Sequence, residues 1–114
     1  MDAVATIHDL PGRVGCEKPP MIGQFKPDVY AIDAPITRTI IGEAKTQGDL
    51  ETNHTAAQFR SFMNFLRLQP NPVFILAVPW QARVLARTIL LAVQQELQAS
   101  RVQLVVLDDI AGAR

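Results

Sequence analysis

The sequence predicts a small α/β domain with a central mixed β-sheet of about five strands flanked by helices. Three observations predict it. In the second half of the chain, short β-branched runs alternate with longer stretches of helical periodicity. In the first half, two extended segments are separated only by a proline-bearing turn, which signals an antiparallel pair. Prolines and glycines then punctuate the boundaries at Pro11-Gly12, Pro19-Pro20, Pro35 and Pro70-Asn71-Pro72.

Met1 to Leu10 has room for a short helix, which Pro11-Gly12 ends. Arg13 to Glu17 reads as a first strand, with Cys16 as a small filler, and Pro19 to Gly23 as a loop. Asp28 to Asp33 reads as a strand with Val29, Ala31 and Asp33 on one face and Asp28, Tyr30 and Ile32 on the other. Asp33-Ala34-Pro35 turns the chain back. Arg38 to Thr46 is the next strand, favoured by β-branched Thr39, Ile40 and Ile41. A helix begins at Asp49 or Asn53, where Asp, Thr and Asn can all cap, and runs to about Leu68. Its core stripe is Phe59, Phe62, Met63 and Leu66. Val73 to Val78 is a continuous apolar run that fits a strand buried on both faces. Gln81 to Ala99 is a second amphipathic helix, and Trp80 before it is expected to be a partly buried loop anchor. Val102 to Leu107 closes the fold as another buried strand. This order gives a mixed sheet with helices on both faces.

The 114 residues fit one domain, 1–114, and 48% apolar content excludes a disordered chain. A formal net charge of zero argues against a protein held on nucleic acid by bulk charge, yet it leaves room for a local basic patch. Eight of the 11 basic residues are arginines, which suit bidentate phosphate contacts. A lone cysteine allows no intrachain disulfide and fits a reducing, cytoplasmic setting. Neither a secretion signal nor a membrane span is expected. A phosphate-cradling glycine loop, a cysteine–histidine zinc set and a serine nucleophile elbow are absent from the sequence.

Three charged residues stand in strands. Period-2 geometry puts Thr39, Ile41, Glu43 and Lys45 on one face. Asp28 stands seven residues before Pro35 and Glu43 eight after it, so a hairpin sets Asp28 opposite Glu43 to Lys45. Paired carboxylates repel unless a hard cation lies between them, and Mg²⁺ accepts such oxygens while keeping several waters. From spacing alone, the Glu-x-Lys pattern equally fits a solvated strand edge with a weak surface ion pair. His54 and Gln58, four apart, share one side of the helix near its N-terminus.

The segments KPDVYAID and TRTIIGEAKT, followed by QFRSFMNFL on a helix, resemble the PD-(D/E)XK nuclease superfamily. Pro27-Asp28 matches the first half-motif, and Glu43-Ala44-Lys45 the second, with 14 residues between Asp28 and Glu43 for one hairpin. The resemblance covers most of the chain from Arg13 onward. It implies a restriction endonuclease-like core, αβββαβ plus αβ. It also implies that Asp28 and Glu43, with the carbonyl of Ala44, bind Mg²⁺, for which Mn²⁺ substitutes. Lys45 would position the attacking water, and Gln58, four residues before Phe62, would join the catalytic set. Glu17 is the nearest acidic residue for a supporting role, with His54 as a second supporting residue. The expected substrate is DNA, with RNA second. The N-terminal helix is shorter than the superfamily's, so a trimmed domain, a homodimer or a subunit of a larger complex is expected. Two other readings stay open: a non-catalytic nuclease-like module that binds nucleic acid or a complex, and an ordinary α/β interaction domain.

Overall fold

The computed structural model describes residues 19–33 and 37–108. Four strands form one mixed sheet in the order β1-β2-β3-β4: β1 (Val29–Asp33), β2 (Arg38–Ala44), β3 (Val73–Ala77) and β4 (Gln103–Leu107). β1 runs antiparallel to β2, while β2, β3 and β4 are parallel neighbours. Parallel strands need a crossover, and helices supply both. Between β2 and β3 lie the single turn α1 (Gln47–Leu50) and the helix α2 (Asn53–Leu66). Between β3 and β4 lie a 3₁₀ turn (Trp80–Ala82) and the helix α3 (Arg83–Glu96). Of the two expected starts, Asp49 and Asn53, the helix takes Asn53, with Thr52 as its cap, and Thr46 caps the separate turn α1 before it. At Thr46 the cap is reciprocal: its hydroxyl accepts from the Asp49 N–H, and the Asp49 carboxylate accepts from its N–H.

Side chains alternate across the sheet. Tyr30, Ile41, Phe74, Leu76, Leu104 and Val106 face α2 and α3 in one core, which also takes Phe59, Phe62, Met63, Leu66, Ala86, Leu90 and Val93. Phe74 is met edge-on by both Phe59 and Phe62. The opposite face carries a second apolar cluster of Ala31, Ile40, Val73 and Ile75. β3 is thus buried on both faces, as its unbroken apolar run predicts. The two long helices, α2 and α3, cover one face, as two crossovers of one hand stepping the same way must. The helix expected at Met1 to Leu10, the strand at Arg13 to Glu17 that would make a fifth, and Glu17 itself lie outside the described residues.

β4 departs from expectation. Its sequence after Gln103 is as apolar as that of β3, yet Leu104 to Leu107 are only partly buried, because among the described residues it is an edge strand with one neighbour. Trp80 departs too: it is 60% exposed. The 3₁₀ turn sends the small Ala82 into the core and leaves the indole outside. No helix among the described residues is long and apolar enough to cross a membrane.

Candidate active site

The site is assembled by the β1–β2 hairpin. Before β1, Ile22 and Phe25 exchange backbone hydrogen bonds of 2.7 and 3.1 Å around Gly23-Gln24. Gly23 has φ +64°, and a Cβ there would come within 3.2 Å of the Ser61 hydroxyl on α2. This turn seats Phe25 edge-on against Phe62, and buried Pro27 then delivers Asp28 to the mouth of β1. Val29 pairs with Gly42, so the antiparallel register sets Asp28 across from Glu43. A Cβ at Gly42 would lie 3.3 Å from the Val29 Cβ, so glycine lets the strands close next to the acidic pair.

The carboxylates are tied to the backbone reciprocally. The Asp28 N–H donates to Glu43 Oε2 at 2.7 Å, and the Ala44 N–H donates to Asp28 Oδ2 at 2.9 Å. Lys45 lies on the Glu43 face, as period-2 geometry requires, with Nζ 3.8 Å from Glu43 Oε1. The same ammonium donates to the Gln58 side-chain carbonyl on α2. Its backbone N–H donates to the Ala77 carbonyl at 3.0 Å, which fixes the end of β2 against β3. Asp28, Glu43, Ala44, Lys45 and Gln58 are therefore contiguous. His54 is exposed and meets Phe25 edge-on at 5.4 Å, with no hydrogen bond to the acidic pair or to Lys45. Its supporting role is not apparent in this geometry.

Glu43 is the unusual member. Its side chain is only 2% exposed. Burial, countered in part by the Asp28 N–H and then reinforced by the Asp28 charge, raises its pKa from 4.5 to about 7. A bound cation would reverse that preference. Among the described residues no three His, Cys, Asp or Glu side chains group together. A cation here would therefore take two carboxylates and complete its shell with backbone carbonyl, water and substrate oxygens. This donor set fits Mg²⁺, which keeps waters and needs few protein ligands.

The shift has a consequence for the metal-free protein. The folded pKa of Glu43 lies above the unfolded value, so its stabilising contribution is complete below pH 4.5 and is lost as pH rises through about 7. That change amounts to about 3 kcal/mol. Denaturant titrations in a chelator should show this loss in the parent between pH 4.5 and 8, and Glu43→Gln should remove it. Equal pH slopes in the two proteins would contradict the burial argument.

Two features of the site escaped the sequence reading. The Thr46-Gln47-Gly48-Asp49 capping box was legible as a Thr-x-x-acid pattern. The Ala77 carbonyl carries no side-chain signal, because only the β2–β3 register brings it to Lys45. No family model, curated protein or solved structure matches the chain.

Proposed function

We propose that the chain is a divalent-metal-dependent nuclease of the PD-(D/E)XK type, with a restriction endonuclease-like core, that hydrolyses phosphodiester bonds in DNA. One observation carries the reading: two carboxylates face each other across an antiparallel hairpin, and the lysine two residues after the second is held between that carboxylate and Gln58. A solvated strand edge would leave the glutamate in water, whereas Glu43 is buried beside a second acid.

Asp28 and Glu43 would hold Mg²⁺ or Mn²⁺, with the Ala44 carbonyl as a further ligand. When bound, the cation offsets charge on the phosphoryl oxygens and lowers the pKa of the attacking water. Lys45 donates a hydrogen bond to that water and offsets negative charge that grows on the phosphate oxygens as the water oxygen bonds to phosphorus. Gln58 acts as a positioning residue, restricting the Lys45 stem to one direction. The P–O bond to the leaving sugar oxygen breaks, and the proton lost by the water balances the alcohol released. The C-terminal ends of parallel strands, where this cluster stands, are where open α/β sheets place ligands.

The test is cleavage of single-stranded and duplex oligonucleotides of DNA and RNA with Mg²⁺, with Mn²⁺ and with a chelator. Cleavage that depends on the metal is expected. Tight nucleic-acid binding with no cleavage under either metal would transfer the chain to the non-catalytic, nuclease-like reading.

A further inference from the structure

Trp80 is the one tryptophan of the chain, and 60% of it is exposed. Its support is fixed. Pro79 leads into the 3₁₀ turn, the Ala82 N–H donates to the Pro79 carbonyl at 2.9 Å, and Ala82 is wholly buried. Val84, the first full turn beyond the indole, is 69% exposed, and Gln81 and Arg83 between them are exposed as well. A flat ring on a rigid turn thus stands in solvent, with one aliphatic neighbour and a polar rim.

The place of this ring in the fold ties it to the acidic hairpin. Ala77 ends β3, and its carbonyl accepts from the Lys45 N–H. Trp80 follows Ala77 by three residues, a reach of at most about 11 Å. Neighbouring strands lie about 4.8 Å apart, so the backbone of Trp80 is within about 16 Å of that of Lys45. At ~3.4 Å per base of a stacked strand, that gap holds fewer than about five nucleotides. Lys45 reaches toward α2, and Trp80 opens the way into α3. A strand laid across the C-terminal ends of β2 and β3 therefore meets both.

The chemistry of the ring selects the form of that strand. With a formal net charge of zero, the chain gains little affinity for nucleic acid from counterion release. Stacking of a base on an aromatic ring needs no charge and accepts any base. In a duplex each base is covered by its neighbours, whereas an unpaired strand offers a free face. Arg83, whose side chain is 54% exposed and lies 3.6 Å from Asp108, adds a cation beside the ring.

We propose that Trp80 stacks on a base of single-stranded DNA whose backbone passes the Asp28–Glu43–Lys45 cluster, which makes unpaired strands the preferred substrate class. The path of that strand rests on the nuclease reading; the stacking contact is measured apart from it.

Emission from the sole tryptophan reports the contact directly. In a chelator, an oligothymidylate of about ten residues should quench it, and a fully paired duplex of the same length should not. Anisotropy of the labelled oligothymidylate should show binding weakened about tenfold or more in Trp80→Ala and within about threefold of the parent in Trp80→Phe. Circular dichroism and the urea midpoint of Trp80→Ala should match the parent, because the ring lies outside the core. With Mg²⁺, Trp80→Ala should raise KM for the single strand about tenfold and leave kcat within about twofold. Unchanged emission with the single strand, equal quenching by the duplex, or full affinity in Trp80→Ala would overturn the proposal. The two readings fail separately. Quenching without metal-dependent cleavage of any oligonucleotide retains the stacking contact and removes the nuclease. Cleavage with unchanged emission removes Trp80 from the substrate path and retains the nuclease.

Discussion

Lys45→Ala is expected to slow metal-dependent cleavage at least 100-fold, the lower end of what a positioned proton-handling or water-holding group contributes. The ammonium sits between Glu43 and Gln58 and is the one cation in contact with the acidic pair among the described residues. Its removal leaves no other side chain there to hold the water or offset charge on the phosphate. Lys45→Met, which keeps an unbranched apolar stem in the partly buried slot, should lose as much activity with less loss of stability. A protein that cleaves at the parental rate in either variant would remove Lys45 from the reaction. Equal loss of activity and of folded structure in both would mean that the residue acts through the fold.

Phe62→Ala is expected to cost about 3–5 kcal/mol. The ring has no exposed surface and packs edge-on against Phe25 on one side and Phe74 on the other. It thereby joins the turn before β1 to the centre of the sheet. Deletion leaves a cavity that the rigid α2–β3 interface cannot close. Domains of this size are stable by only about 5–15 kcal/mol, so the variant should be marginal in urea titrations. Leu68, past the end of α2 and largely exposed, supplies the contrast: Leu68→Ala should change stability by no more than about 0.5 kcal/mol. Similar losses for the two variants would contradict the assigned core.

What the sequence made legible is what local geometry decides. The Phe59, Phe62, Met63 and Leu66 stripe follows from 3.6-residue periodicity, and all four are buried. The meeting of Asp28 and Glu43 follows from a hairpin in which two residue counts from Pro35 nearly match, and the register bears it out. Lys45 follows Glu43 by two, so it had to share the face. The contact of Lys45 with Gln58 crosses from β2 to α2, and its geometry depends on where the helix lands after the Thr46 and Thr52 caps.

Long-range order was illegible for equally physical reasons. An apolar run such as Val73 to Val78 and one such as Val102 to Leu107 look alike, because hydrophobicity does not state how many neighbours a strand will have. β3 is central and buried from Val73 to Leu76; β4 is an edge among the described residues and is not. Trp80 was misjudged for a related reason. A large aromatic after a proline reads as a partly buried loop anchor, but which residue of a 3₁₀ turn points inward is set by the helix that follows.

Divalent-cation binding at Asp28 and Glu43 is tested most directly by calorimetric titration of Mn²⁺ into the parent and into Asp28→Asn, each saturated with a non-hydrolysable oligonucleotide so that phosphate oxygens can complete the shell. Saturable binding in the parent that disappears in Asp28→Asn is the predicted result. No binding in the parent, or the same binding in both proteins, would contradict a metal site at this hairpin.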